Sequence, residues 1–458
     1  MEPFAALEHL WSLAKLPKQS LDQVKLLGQE PVFPTSFSVG TAAQVTIAAS
    51  ALAACDLGEL RGSPKQSVSV EMLHAAAECT GWFTLDGKEP VLWDPFAGLY
   101  PCAKGYVRIH TNFDHHRHGV LRLLGLNPET ATKEAVAKAL LGWHSLDFEN
   151  KAAELGLVVT ALRTFEEWDS TEQGQAVAAK PVISITKIGD AAPLPLPALD
   201  QSTRPMSEIR VLDLTRILAG PVGGRALASM GADVMLVNSP NLPNIAAIAE
   251  TSRGKRSVHI DLLTHHGKET LWKLIDSAHV FSQGYRPGGL AKLGFSPEDL
   301  AARRPGIVVV SLSAYGTSGP WANRRGFDSL IQTAMGFNHA EGVAAGNATP
   351  RALPMQILDQ ASGFLMAFGA AAALLRQQQE GGSWLVEVSL AQTGQWLRSL
   401  GRVDNGFSIA KPDITQWLVT EPSGFGLLQA IRPSAQLSRT PAGYDRPSVP
   451  PGTDKPEW

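Results

Sequence analysis

From residue 209 onward the chain alternates short apolar runs with stretches of helical periodicity, and this alternation restricts the fold more than any other feature. Ile209 to Leu214, Ala232 to Val237, Ala278 to Ser282 and Ile307 to Leu312 have strand length and strand composition. Between them lie helical stretches at Pro221 to Met230, His266 to Ser277 and Pro297 to Arg303, and Pro221 suits a first helical turn. Strands separated by helices predict a parallel sheet whose ligands sit beyond the strand C-termini. The predicted class is α/β: a Rossmann-like, parallel-sheet large domain with a smaller α+β domain. No GxGxxG follows the first strand, so a dinucleotide cofactor is not expected.

The residues before this region read differently. Phe4, Leu7, Leu10, Trp11 and Ala14 mark an amphipathic helix, and Ser36 to Ala54 a helix of small residues. A turn at Gly58 to Ser63 and a strand-like Val68 to Leu73 follow. The same unit recurs later as Gly363 to Arg376, Gly381 to Ser383 and Leu385 to Leu390, which predicts a degenerate internal repeat. Residues 80–195 hold a strand-like Gly105 to His110 and helices near 130–141, 148–155 and 164–179, and the Pro-rich Asp190 to Pro197 reads as a semi-rigid linker. The predicted divisions are 1–80 (repeat of a large-domain segment), 81–195 (small domain), 205–400 (large domain) and 401–458 (C-terminal tail).

Composition excludes several classes of function. With 458 residues, 44% apolar and 18% charged, the chain suits a soluble globular protein with large cores. A net charge of −3 gives no broad basic field, so nucleic acid is not an expected partner and any anion must be held locally. The apolar stretches Ala42 to Ala54 and Ala361 to Leu375 are shorter than the roughly 20 residues a bilayer requires, so no membrane is expected. The N-terminal residues lack a signal pattern, which makes the cytoplasm the expected location. Cys55, Cys79 and Cys102 form no CxxC and read as buried thiols. His110, His115, His116 and His118, with Asp114, lack a complete ligand spacing and read as a polar surface loop without metal.

One carboxylate stands out. The run Leu353 to Leu358 delivers Asp359 to the start of the small-residue helix Gly363 to Arg376, where free N–H groups and the helix dipole favour negative charge. An N-cap is the plain structural role and a nucleophile the chemical one. In the first copy of the repeat the matching region reads Ser36 to Gly40, so carboxylate chemistry belongs to one copy only.

The chain also resembles the family III CoA-transferases, the group that includes formyl-CoA transferase, carnitine CoA-transferase and alpha-methylacyl-CoA racemase. The resemblance rests on Val211 to Arg216 with Ala219, Gly220 and Pro221; Arg253 to Val258; Tyr285 to Gly288; Tyr315 and Gly316 with Gly326-Phe327-Asp328; and Asp359 with its helix. It implies CoA transfer from an acyl-CoA to a carboxylic acid through an aspartyl anhydride and an aspartyl-CoA thioester, with coenzyme A as substrate and no resident cofactor. Asp359 matches the family's nucleophile, kept ionised by its helix. Arg216, Ala219, Gly220, Pro221, Arg253, Lys255, Arg256, Tyr285, Arg286, Tyr315, Gly316 and Asp328 match its CoA- and substrate-binding stretches. Residues 1–195 resemble the second half of such a subunit placed before the first half, and a homodimer is the implied assembly.

Two further readings stay open. The racemase of the family moves a proton with a His beside the Asp of its Gly-x-Asp motif; here Phe327 takes that place, and a phenyl ring cannot exchange a proton. A non-catalytic CoA-binding partner subunit is the other, because the family's glycine run over the catalytic Asp is missing and only Gly342 and Gly346 offer a flap. The transferase reading fails if Asp359 is buried away from any cavity or if the Arg253 to Arg256 cations lie on a far surface.

Overall fold

The computed structural model describes residues 1–458. Its main sheet has seven strands: β1 (Ile183–Gly189), β2 (Arg210–Leu214), β3 (Asp233–Asn238), β4 (Lys255–His259), β5 (Val280–Gln283), β6 (Val308–Ser313) and β7 (Ser383–Ser389). They lie in the order β4-β3-β2-β5-β6-β7-β1, parallel throughout except for β1, which runs antiparallel to β7 at one edge. From the central β2 the chain winds out to β3 and β4, then returns to β5 on the other side. Strand order therefore reverses between β2 and β5, where a crevice opens beyond the strand ends.

The four runs from 209 to 312 and the later Leu385 to Leu390 run all fall on strands of this sheet. Two strands carry no such signal. β1 lies inside the stretch assigned to a small domain, and as a half-exposed edge strand it has no continuous apolar run. β4 begins with Lys255 and Arg256, whose charges hide it; Lys255 can be buried there because Asp213 on β2 pairs with it. Residues 401–458 are not a plain tail either. Leu418–Ser423 and Gly426–Ile431 form a hairpin on Phe83–Leu85, and Ala435–Leu437 pairs with Val68–Glu71. The segment Thr164 to Ala179 is two helices, Phe165–Asp169 and Glu172–Ala178, since Thr171 caps the second by accepting the N–H of Gly174.

Four helices set up the site: α1 (Val39–Leu60), α2 (Ala219–Ser229), α3 (Asp328–Met335) and α4 (Ile357–Glu380). α1 and α4 have 22 and 24 residues, long and apolar enough to cross a membrane, yet their apolar windows are buried in the protein. They extend beyond the stretches the sequence suggests, and being apolar on all sides they form the centre of the largest core. α4 packs against α1, α2, β6 and β7. The helix–strand–helix order of the proposed repeat is present in both places: α1, Val68–Glu71 and Met72–Glu78, then α4, β7 and Leu390–Ser399.

Small residues let α2 and α4 meet almost backbone to backbone. A Cβ at Gly363 would lie 2.5 Å from the Ala219 carbonyl oxygen, and one at Gly223 would lie 2.9 Å from the Gly363 carbonyl oxygen. This approach fixes the first turn of α2 against the first turns of α4. Alanine is the better helix former by about 1 kcal/mol, but it would push the helices apart. Gly363→Ala is therefore expected to destabilise by about 1–3 kcal/mol in urea unfolding, whereas a change governed by propensity alone would stabilise.

Candidate active site

The loop after β2 is shaped by the last residues of that strand. Asp213 Oδ1 accepts hydrogen bonds from the Thr215 N–H at 3.1 Å and the Thr215 hydroxyl at 2.5 Å, and its Oδ2 accepts one from Lys255 Nζ at 2.8 Å. Thr215 folds back onto the start of α2 so tightly that a Cβ at Gly220 would lie 2.3 Å from its Cβ. The chain then turns through Ile217, a β-branched residue held at φ +77°, where side chains rarely settle. This strained turn presents Arg216, Ile217, Leu218 and Ala219 to the crevice.

That crevice is the floor of a cleft with about 1320 Å³ of unfilled space, including its open mouth. Gly284, Tyr285, Arg286 and Pro287 enter from the loop after β5, Leu312 to Ala314 from the end of β6, and Leu390 from beyond β7. The opposite wall comes from Phe113, His115 and His116 and from Arg324 to Phe327. Asp359 lies at the base. Four arginines line the space, Arg216, Arg286, Arg324 and Arg325, and none has a carboxylate within ion-pair distance. Arg216 stands over the Phe113 ring at 5.9 Å and Arg324 over the Trp321 ring at 4.1 Å.

Asp359 is the third residue of α4, within the first turn, and 8% exposed. No side chain of α4 itself caps that turn. The cap comes from α3: Asp328 Oδ2 accepts the Asp359 N–H at 2.9 Å, and its Oδ1 accepts from Gln332 Nε2 at 2.5 Å. Gln332 Oε1 in turn accepts the Leu353 N–H at 3.0 Å, so one polar ladder positions the segment that leads into Asp359. Asp328 thus belongs to α3, but its carboxylate serves the start of the next helix rather than its own.

The charge state differs from the expectation that the helix keeps Asp359 ionised. Burial raises its pKa well above the usual carboxylate value, and the Asp328 carboxylate raises it further. Burial likewise raises Asp328, to about 6, against the lowering effect of its hydrogen bonds. Loss of water and a like charge outweigh the dipole here. The two acids compete for ionisation, so the pair holds a proton more readily than either would alone in water.

Of the residues singled out in the sequence, Arg216, Ala219, Tyr285, Arg286 and Asp359 line the cleft. The rest do not. Arg253 is buried against Glu250 Oε1 at 2.5 Å and the Ile431 carbonyl at 3.0 Å. Lys255 donates to Asp213 and, at 2.7 Å, to the Pro221 carbonyl. Arg256 pairs with Asp233 at 2.9 Å. All three cations are thus committed to the protein's own carboxylates, which corrects their assignment as phosphate ligands. Gly220 and Pro221 are buried inside α2. Tyr315 packs edge-on to Trp321 at 5.1 Å, and Gly316 takes φ +89° in the turn beyond β6. Gly342 sits within the helix Phe337–Ala344, where a Cβ would lie 2.5 Å from the Thr349 oxygen, so that stretch is packed and neither it nor Gly346 reaches the cleft.

The cleft residues the sequence did not mark are Phe113, Arg324 and Arg325, and His115 and His116, read there as a surface loop, line the cleft as well. His110 and His116 are buried rather than on a surface loop, and His110 stacks on Phe327 at 4.0 Å. The available signal was the pair Arg324-Arg325 directly before Gly326-Phe327-Asp328.

The acid pair predicts an inverted pH response. A raised folded pKa contributes stability that is present below the unfolded value of about 4 and is lost as pH rises through about 6. Asp328→Asn removes one acid and the repulsion on the other. Denaturant unfolding between pH 4.5 and 7.5 should show the variant gaining on the wild type as pH rises, and parallel curves would contradict the coupling.

Residues 206–401 match the sequence profile described as CoA-transferase family III. A probable fatty acyl-CoA transferase of Mycobacterium tuberculosis is 34% identical over 201 residues, which are 41% of this chain and 50% of that protein. An acyl-CoA transferase of Gibberella moniliformis is 31% identical over 304 residues, 62% and 53% of the respective chains. A succinate–glutarate CoA-transferase of Agrobacterium fabrum is 30% identical over 264 residues, 51% and 65%. The crystal structure of a hypothetical protein from M. tuberculosis aligns with a TM-score of 0.39 at 34% identity, covering 44% of this chain and 58% of that one. The chain therefore spans about half to two thirds of the length of these three curated relatives. Through residues 206–401 this chain is similar to CoA-transferase family III.

Proposed function

We propose that the protein moves CoA from an acyl-CoA thioester to a carboxylic acid, with Asp359 as the nucleophile. The observation that carries this reading is the meeting, in one cleft at the reversal of strand order, of Asp359 with arginines that no protein carboxylate neutralises. Arg216 and Arg286 follow β2 and β5, and guanidinium groups in that position suit the phosphates of a long anionic ligand. These two replace Arg253, Lys255 and Arg256 in the reading. The relatives' names, an acyl-CoA transferase and a succinate–glutarate CoA-transferase, support the reaction class.

In this mechanism the Asp359 carboxylate attacks the thioester carbonyl carbon, the C–S bond breaks, and a mixed anhydride and CoA thiolate result. The thiolate then attacks the aspartyl carbonyl, releasing the donor acid and leaving an aspartyl-CoA thioester. The acceptor carboxylate attacks that thioester to form a second anhydride and free the thiolate again. Attack of the thiolate on the acceptor's acyl carbon restores Asp359 and yields the new acyl-CoA. Once Asp359 has lost its proton, no later step needs a proton carrier or water, and the thioester energy stays on the enzyme. A carboxylate stripped of water is the stronger nucleophile, which fits the burial of Asp359.

Proton transfer at the carbon next to the thioester, the 2-methylacyl-CoA epimerase reading, is opposed by Phe327 at the cleft wall. Incubation with an acyl-CoA and a labelled acid in deuterium oxide separates the readings. We expect label in acyl-CoA, ping-pong kinetics, and a loss on the order of 10³-fold or more in Asp359→Asn. Arg286→Gln should raise KM for the acyl-CoA about tenfold with little change in kcat. Deuterium at the alpha carbon without label exchange would indicate epimerisation, and neither signal would indicate a CoA-binding partner.

A further inference from the structure

The transfer chemistry above uses the sheet side of the cleft and leaves the opposite wall without a task. On that wall His116 is 3% exposed, lines the cleft, and has no hydrogen-bond partner at either ring nitrogen. A buried polar group without a partner is destabilising, so a fold that keeps one at a cleft has a reason outside its own packing. His115 lies beside it with ring centroids 4.0 Å apart and also lines the cleft. Arg325 comes from a different segment and is close enough to disfavour a charge on both imidazoles. Its guanidinium donates to the Gly156 carbonyl and has no carboxylate partner. The same cleft that holds Asp359 and these groups is also lined by the apolar Phe113, Phe327, Leu312 and Leu390.

We propose that His115, His116 and Arg325 bind the free carboxylate of a dicarboxylic acyl group while the other carboxyl end reacts at Asp359. This rests on the transfer reading and narrows it: the acids exchanged are dicarboxylic acids and their mono-CoA thioesters. A neutral imidazole offers one N–H donor, a protonated one offers two, and the fork of Arg325 supplies the remaining charge. Burial lowers His116 to about 3, with His115, Arg325 and His110 adding to the effect. Burial lowers His115 too, with Arg325 and Arg216 adding to the effect and only Asp114 opposing it. A bound carboxylate would reverse that balance, so binding takes up a proton and weakens as pH rises through the ligated histidine pKa.

Calorimetry with glutarate and with pentanoate, its singly charged counterpart, tests the subsite on the wild type, His116→Gln and Arg325→Gln. We expect glutarate to bind about tenfold or more tightly than pentanoate, with proton uptake detected from buffers of different ionisation enthalpy. His116→Gln should reduce the uptake and Arg325→Gln the glutarate affinity, with pentanoate unchanged in both. Equal binding of the two acids, undiminished uptake in His116→Gln, or equal weakening of both acids by Arg325→Gln would overturn the subsite. Arg325 is less buried, so its variant keeps the test open should His116→Gln fail to fold. Binding is read without turnover: a wild type that shows no glutarate preference yet transfers CoA to pentanoate sinks only the subsite. Absence of any transfer with the preference intact sinks the reaction and spares the subsite.

Discussion

The hydrogen bond from the Asp359 N–H to Asp328 Oδ2 is the contact on which the site depends. The first turn of α4 has backbone donors and no side chain of its own to satisfy them. By supplying the acceptor from α3, the fold ties the start of α4 to a second helix and sets where the Asp359 side chain can point. The cost is two acids in one buried place, where burial and the Asp328 charge raise the pKa of Asp359. A cap of Ser or Thr would hold the turn as well without charge, so the choice of Asp at 328 couples the positioning of Asp359 to its protonation.

Around that contact the fold assembles the cleft from segments far apart in sequence. Asp213 is the counterpart on the sheet side. It shapes the loop carrying Arg216 through Thr215, and it is held in turn by Lys255 from β4. Gly223 and Gly363 then bring α2 against α4, so the Arg216 loop and the Asp359 turn keep a fixed relation. Stability and site geometry share these residues, and few of them could be exchanged without disturbing both.

This arrangement explains which parts of the sequence were readable. Strands β2, β3, β5 and β6 are buried on both faces and so carry unbroken apolar runs, and residues that follow such strands, Arg216, Tyr285 and Arg286, reach the cleft by the rule for parallel sheets. Asp359 was readable from its place before a small-residue helix. The cluster Arg253-Gly254-Lys255-Arg256 was misleading because its partners Glu250, Asp213 and Asp233 lie on other elements or look like ordinary strand and helix residues. A run of cations in one dimension does not say whether it faces a ligand or the protein's own acids. His115 and His116 failed for the opposite reason: their neighbours Arg325 and Phe327 come some two hundred residues later, so only the folded chain brings them together.

The account stands on Asp359 forming a covalent bond with substrate. Incubating the protein with an acyl-CoA, quenching with hydroxylamine and mapping peptides by mass spectrometry tests this directly. The account predicts an aspartyl hydroxamate at Asp359 that depends on the acyl-CoA and is absent in Asp359→Asn. An unmodified Asp359 in protein that still exchanges acyl groups, or a hydroxamate at another carboxylate, would contradict it.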